Sequence, residues 1–212
     1  MIENKIKSKL SEYLEFDSDQ LFISKFNLVK VFGGAIRDII ADQPIHDVDI
    51  LCGSKSIRYI EIVLEKNGYH YMEMLNGKDL QKMYSDIHII NEPHTWIKGN
   101  KIVQLIRPAI FTPPKKGVYN SPDWEYIRGF NDLIANVDIS CCGVSWDGEN
   151  LVEDYPNAIL HCQCKVFTVN KGAKMYSHNR IHQRTGKLND RGWKEVEKSD
   201  AVNRDLKLNL VI

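Results

Sequence analysis

Hydrophobic and polar positions recur along the chain with two different periods, and each period predicts one kind of element. Apolar residues three or four positions apart predict an amphipathic helix over residues 1–14 and further helices over 35–41 and 54–66. The chain from residue 171 onward is also predicted to be mostly helical, and prolines mark 108–122 as a loop. Alternating or β-branched runs predict strands over 27–32, 47–52, 69–74, 85–91, 101–106, 133–145 and 150–153.

This order of elements predicts an α/β (α+β) fold in which helices flank a small mixed sheet.

The composition changes near residues 165–172. Between residues 165 and 198, nine basic residues stand against three acidic ones. We therefore expect a head domain over 1–168 and a short, basic, helical C-terminal appendage over 169–212.

Charge and hydropathy exclude some classes of protein. The 212 residues include 28 Lys and Arg and 28 Asp and Glu, so the formal net charge is zero. This balance argues against wrapping of duplex DNA, which depends on a strong basic excess, but it leaves room for a local basic groove. The mean hydropathy is −0.35, and neither an apolar run of about 18 residues nor a signal-peptide core is present. We expect a cytoplasmic protein that does not enter a membrane.

The five cysteines favour structural thiols over a disulfide framework, because their number is odd and their spacing is irregular. The stretch from His161 to Cys164 (HCQC) is the one cluster that resembles a metal site, but it lacks the second ligand pair that zinc needs. Its period-two spacing predicts that Cys162 and Cys164 share one face of a strand.

One segment, VFGGAIRDIIADQPIHDVDIL, carries most of the candidate chemistry. Gly33 and Gly34 end a predicted strand and precede a helix, so the backbone there can approach a phosphate at the helix N-terminus. A glycine pair before a helix is by itself usually only a turn. Arg37 and Asp38, which follow the second glycine by three and four residues, make the pattern more specific.

Two acidic residues follow on the next predicted strand. Asp47 and Asp49 are two positions apart, so both carboxylates point to one face of the strand. Oxygen ligands placed in this way hold Mg²⁺ together with substrate phosphates. Two such ions would bind the attacking and leaving oxygens of a displacement at phosphorus. An isolated D-x-D is common on solvated strand edges, and its combination with the glycine and R-D motifs favours function.

Together these motifs resemble the head-domain signature of the DNA polymerase beta-like nucleotidyltransferase superfamily. The segment is most similar to bacterial poly(A) polymerases and CCA-adding tRNA nucleotidyltransferases, whose pattern runs G-G-x-[VI]-R-D and then D-x-D-[IL]. The matching residues are Gly33, Gly34, Ile36, Arg37, Asp38, Asp47, Asp49 and Ile50. The resemblance implies a nucleotidyltransferase fold and metal binding by Asp47 and Asp49. It also implies that the glycine pair contacts the nucleotide phosphates and that the R-D pair organises the same pocket.

A third carboxylate is expected from a neighbouring strand, and Asp138 is the leading candidate for this catalytic and metal-binding role. It lies within the apolar run 134–140, where an acid is costly to bury without a partner such as a metal. The run also resembles a later strand of viral and phage nucleotidyltransferase-like proteins. Asp132 and Asp147 are alternatives, but turn-like sequence surrounds both.

The stretch 180–193 (RIHQRTGKLNDRGW) is similar to a pattern that follows the head in some of these enzymes, R-I-x-K-Y-x-x-R-G-F. Arg180, Lys187 and Arg191 either line a route for the triphosphate or for a nucleic-acid strand, or they belong to a solvated helix face. Trp193 has two interpretations: it stacks on a base, or it docks the appendage onto the head.

The motifs and the resemblance lead to the expectation of a nucleotidyltransferase that uses two Mg²⁺ ions and transfers an NMP from an NTP, with ATP favoured. A hydroxyl accepts the NMP and pyrophosphate leaves. The favoured acceptor is an RNA 3′ end, such as that of a tRNA, because the stretch 165–198 is basic. The alternatives are a small molecule or a protein, as in antibiotic-modifying or toxin-type relatives. A non-catalytic nucleotide-binding or RNA-binding module is the third hypothesis.

Overall fold

The computed structural model describes residues 2–22, 29–72, 94–106, 134, 137–170 and 178–196. Within these ranges, helices pack on a seven-stranded mixed sheet, which confirms the predicted fold class. None of the helices in these ranges is both long enough and apolar enough to cross a membrane.

Five helices are present in the described part of the chain. They are α1 (Ile2–Leu14), α2 (Gly34–Ile40), α3 (Ser54–Lys66), α4 (Ala158–Cys164) and α5 (His178–Asp190). The first three and α5 lie where the helical spacing predicts them. Helix α4 corrects the strand predicted for Cys162 and Cys164. Its buried residues, Ala158, His161 and Cys162, recur at the helical spacing of three and four positions, and it lies between two left-handed residues at 157 and 165.

The strands form one large sheet and one small one. They are β1 (Val29–Phe32), β2 (Val48–Cys52), β3 (His70–Tyr71), β4 (His94–Lys98), β5 (Lys101–Ile106), β6 (Val144–Trp146), β7 (Leu151–Glu153), β8 (Val166–Phe167) and β9 (Lys194–Glu195). The large sheet has the order β3-β4-β5-β2-β1-β6-β7, in which only β2 and β5 are parallel neighbours. Strands β8 and β9 pair in parallel.

Two differences from the predicted strands affect the site. The strand predicted over 133–145 is not present as one element, because a 3-10 turn over Ser140–Cys142 interrupts it before β6 begins. Strand β4 was missed, although its β-branched and aromatic residues run into the turn at Gly99, whose φ is 59°. The predicted strand 85–91 and loop 108–122 lie outside the described residues.

The main core lies between the helices and one face of the large sheet. Val31 is paired with Ile50, and Ile50 with Leu105, so these three side chains share that face. All three belong to the cluster of buried residues that includes α1, α2 and α3. The opposite face carries Phe32 and, in register with it, Asp49. The acidic motif therefore lies on the face of the sheet opposite α1, α2 and α3.

The described part of the C-terminal segment packs into this same core. Leu188, near the end of α5, is 3% exposed, and Trp193 is 2% exposed. Both belong to the main buried cluster. Strand β9 is joined to β8 by its ladder, which gives the segment a second attachment.

Gly143 supplies a test of the close packing that surrounds the site. A β-carbon there would lie 2.2 Å from the β-carbon of Tyr155, so Gly143→Ala forces the backbone apart. We expect a loss of about 1–3 kcal/mol in the free energy of unfolding, measured by urea denaturation. Gly186→Ala is the matched control: its β-carbon enters open space within α5, and helix propensity predicts a gain of about 0.5–1 kcal/mol. Equal stability of both variants would contradict the described packing.

Candidate active site

The two glycines of the motif form the turn between β1 and α2. Gly33 has φ 71° and ψ −126°, a conformation that glycine adopts without a side-chain clash. Its N–H donates to the carbonyl of Val144 at 3.0 Å, which holds the turn against β6. Gly33 is buried, but among the described residues no atom lies within 4 Å of the position that a β-carbon on it would occupy.

The side chains of Arg37 and Asp47 meet beside Gly34. From the position that a β-carbon on Gly34 would occupy, Arg37 Nη2 lies at 3.6 Å and Asp47 Oδ1 at 3.9 Å. Arg37 comes from α2, and Asp47 directly precedes β2. A cation, a carboxylate and accessible backbone thus share one small region.

Asp49 lies within β2, two residues beyond Asp47. Its neighbours in the sheet register are Phe32 in β1 and Gln104 in β5. Asp47 and Asp49 are both half-buried, and their spacing of two positions favours the same side of the chain. The predicted strand is present as β2, which carries Asp49 and which Asp47 directly precedes.

Asp138 does not join these two acids. The described residues contain no group of three or more His, Cys, Asp and Glu that could hold a metal ion, and Asp47, Asp49 and Asp138 are all among the residues described. Asp138 is instead fully buried, and its Oδ1 accepts a hydrogen bond from Arg184 Nη1 at 2.5 Å. The guanidinium of Arg184, on α5, is therefore one partner of this buried carboxylate, and the metal-binding role of Asp138 stays a prediction.

Arg37 is itself buried, with 8% of its surface exposed. Its Nε donates to Asp38 Oδ1 at 2.8 Å and its Nη1 to Cys142 Sγ at 3.4 Å. The guanidinium carbon lies 5.5 Å from the ring centroid of Trp193. Burial alone would lower the pKa of Arg37, but Cys142 and Asp38 outweigh it and raise the pKa above its ordinary value. Arg37 therefore keeps its charge inside the fold.

A second arginine approaches Asp38 from the C-terminal segment. Arg191 Nη2 lies 2.9 Å from Asp38 Oδ2 and 3.2 Å from Gln43 Oε1. The same Gln43 oxygen accepts the indole N–H of Trp193 at 2.9 Å, and the amide of Gln43 donates to the carbonyl of Arg191 at 3.0 Å. These four residues link the end of α2 to the chain that follows α5.

Cys142 connects the two arginines of the interior. It accepts from Arg37 and, at 3.6 Å, from Nη2 of Arg184. The hydrogen bond from Cys141 and the charges of Arg37 and Arg184 lower the pKa of the Cys142 thiol to about 6, although burial and Asp138 oppose them. We call the connected set the arginine cluster. Its members are Arg37, Asp38, Gln43, Asp138, Cys142, Arg184, Arg191 and Trp193.

The C-terminal residues singled out from the sequence have different environments. Lys187 is exposed on α5, where it is available to a ligand. Arg191 is held by its contacts with α2, and the side chain of Arg180 lies outside the described part of the chain. Of the two interpretations of Trp193, docking onto the head is the one the structure shows, because the ring is buried against Arg37.

Three members of the arginine cluster were not singled out from the sequence: Gln43, Cys142 and Arg184. Each acts through partners that are distant in the chain, and Gln43 and Trp193 are 150 positions apart. The spacing of residues that are close in the sequence does not indicate pairs of this kind. A partial signal was present for Arg184, since an acid predicted inside an apolar run needs a partner and α5 is rich in bases.

Several solved structures are similar to this chain, whereas no family model and no curated protein sequence matches it. A CCA-adding enzyme in complex with CTP matches with a TM-score of 0.55 at 15% identity, over 99% of this chain and 46% of that one. The Thermotoga maritima CCA-adding enzyme complexed with tRNA has a TM-score of 0.55 and 13% identity, over 93% and 44%. A tRNA nucleotidyltransferase complexed with a primer tRNA and an incoming ATP analog has a TM-score of 0.50 and 14% identity, over 86% and 47%.

These likenesses show that the chain has the nucleotidyltransferase-like fold. At 13–15% identity they concern the fold alone. The chain spans less than half the length of each of these structures.

The position of Cys142 predicts a particular dependence of stability on pH. The thiol of Cys142 has a pKa of about 6 in the folded protein, below its value of about 8.5 in the unfolded chain. Ionisation of the thiol therefore stabilises the fold in full above pH 8.5, and this stabilisation is lost as pH falls towards 6. The difference in unfolding free energy between the unaltered chain and Cys142→Ser should rise between pH 6 and 8.5, by at most about 1.4 kcal/mol per unit.

Cys164→Ser is the matched control for this measurement. Burial raises the pKa of the Cys164 thiol, so its removal should give a difference that stays flat between pH 6 and 8. Parallel stability curves for the unaltered chain and Cys142→Ser would contradict the charged thiol.

Proposed function

We propose that the protein is a nucleotidyltransferase that uses Mg²⁺ to transfer an NMP from an NTP to a hydroxyl acceptor. The acceptor oxygen attacks the α-phosphorus, the bond between this phosphorus and the bridging oxygen breaks, and pyrophosphate leaves. The observation that carries the proposal is the convergence of Gly34, Arg37 and Asp47 at the end of the strand that bears Asp49, within a nucleotidyltransferase-like fold.

The described residues fit a magnesium ion that is completed by substrate. Asp47 and Asp49 offer hard oxygen donors on one side of β2, and Mg²⁺ is commonly held by one or two carboxylates together with substrate phosphates. Mg²⁺, expected as two ions, would neutralise phosphate charge and favour ionisation of the acceptor hydroxyl. Asp138 is not included in this ligand set, since Arg184 already neutralises it.

The remaining residues of the site bind and orient the nucleotide. Gly34, which is partly exposed at the start of α2, offers backbone to a phosphate at the glycine turn. Arg37 keeps a fixed positive charge, and its Nη2 faces Gly34, so it is placed to donate to a phosphate oxygen bound at the turn. Asp38 orients this guanidinium through its Nε.

An RNA 3′ end is the acceptor that we propose. Related folds were solved with CTP, with tRNA and with a primer tRNA beside an ATP analog, which supports an NTP and an RNA as the two substrates. Lys187 and Lys194 are exposed on the C-terminal segment, and exposed lysines attract a phosphate backbone.

The metal-binding assignment is tested with Asp49→Asn. Loss of one carboxylate charge should reduce the transfer of labelled nucleotide to background, since the amide is a poor ligand for Mg²⁺. The free energy of unfolding should change by less than about 1 kcal/mol. Asp42→Asn is the control, because Asp42 is exposed and its positive φ of 54° suits asparagine. Transfer that survives in Asp49→Asn would disprove the assignment.

The acceptor is tested by incubating the protein with Mg²⁺, each labelled NTP in turn and total RNA. We expect label on RNA, and Lys187→Glu should weaken RNA binding and reduce the slope of binding against salt by about one ion. Lys9→Glu, an exposed change on α1, is the matched control and should leave both unchanged. Label on small molecules or on protein, with RNA unlabelled, would exclude the RNA acceptor.

A further inference from the structure

Arg37 has three guanidinium nitrogens, and the fold assigns two of them to protein partners. Nε donates to Asp38 and Nη1 to Cys142. Nη2 is turned towards Gly34, 3.6 Å from the position of a β-carbon there, where Asp47 Oδ1 also approaches. The orientation of this one side chain therefore decides whether a nitrogen faces the glycine turn.

Trp193 lies against the guanidinium and is itself held in place. Its ring centroid is 5.5 Å from the guanidinium carbon, and only 2% of its surface is exposed. Its indole N–H donates to Gln43, whose backbone N–H donates to the carbonyl of Asp38 at 2.8 Å. Arg191 also contacts Asp38 and Gln43 and so belongs to the same network.

The hydrogen bonds that hold Trp193 are more specific than burial of an apolar side chain requires. Leu188 is apolar and only 3% exposed, and it belongs to the main buried cluster. The C-terminal segment can therefore pack into the core without a polar contact. Trp193 in addition uses its single polar group on Gln43, which fixes the ring plane beside Arg37. A satisfied buried network of this kind specifies one geometry.

We propose that Trp193 and Gln43 are positioning residues for nucleotide binding, which hold the Arg37 guanidinium so that Nη2 faces the glycine turn. The inference rests on the proposed function, since it concerns the same site. It assigns to the C-terminal segment a part in nucleotide binding that acts through Arg37. Neither Trp193 nor Gln43 needs to touch the nucleotide.

The first test uses the full chain without nucleotide. Nuclear magnetic resonance of the Arg37 Nε–H detects the ring of Trp193 directly, because the ring current shifts this signal. Trp193→Leu should move the signal and increase its exchange with water. Trp193→Phe keeps an aromatic ring and should change it less. An Arg37 signal that Trp193→Leu leaves unmoved would overturn the inference, whatever the protein binds.

The second test measures the dissociation constants of Mg·ATP and Mg·CTP in a double-mutant cycle. Loss of the contact between ring and cation should make Trp193→Leu bind about 3- to 20-fold more weakly. In the Arg37→Met background the same change should have no further effect, because Trp193 acts through Arg37. Weakening that persists in that background would overturn the inference.

Leu188→Ala is the control for a merely structural role. It opens the core in the same segment and should lower the midpoint of thermal unfolding, but it should leave nucleotide affinity unchanged. Equal loss of affinity in Leu188→Ala and Trp193→Leu would overturn the inference. If Trp193→Leu does not fold, Gln43→Met takes its place and should give the same weakening through Arg37. Failure of the unaltered chain to bind either nucleotide would instead contradict the proposed function.

Discussion

A buried positive charge is the constraint on which the site depends. Arg37 lies in the interior beside the glycine turn, and a guanidinium cannot be neutralised there by losing its proton. The fold must therefore surround it with acceptors. Asp38 supplies one and Cys142 another, and Trp193 covers the guanidinium face. Three segments far apart in the chain are thereby bound to one side chain, and the position of each follows from the need to satisfy it.

The need to balance buried charge applies to the whole arginine cluster and explains its composition. Arg37, Arg184 and Arg191 bring three positive charges, and Asp38 and Asp138 bring two negative ones. Cys142 lies between two of these arginines, and a hydrogen bond from Cys141 and the charges of both arginines lower the pKa of its thiol. A carboxylate that seemed suited to a metal is thus used for charge balance, which leaves Asp47 and Asp49 as the acids on the side of the glycine turn.

Local patterns in the sequence were sufficient to predict the helix and strand that frame the site, but they did not predict the contacts between distant residues. The turn at Gly33, the helix that bears Arg37 and the strand that bears Asp49 follow from spacing within about twenty residues. The pairing of Asp138 with Arg184 was not predicted, because the two residues lie 46 positions apart in the chain. The turn before β6 was missed because it is too brief to display a period, and α4 was missed because the two-residue spacing of its cysteines is typical of a strand.

The link between Gln43 and Trp193 also has a consequence for the order of folding. Contacts that join residues 150 positions apart close late, because the loop between them must first lose its freedom. On a ribosome, which adds about 5–20 residues each second, roughly ten seconds or more separate the synthesis of α2 from that of Trp193. During this interval β2, which follows Asp47 and bears Asp49, can form, while the guanidinium of Arg37 still lacks the ring of Trp193. A nascent chain would therefore acquire its acidic motif well before it acquires an ordered cationic partner for phosphate.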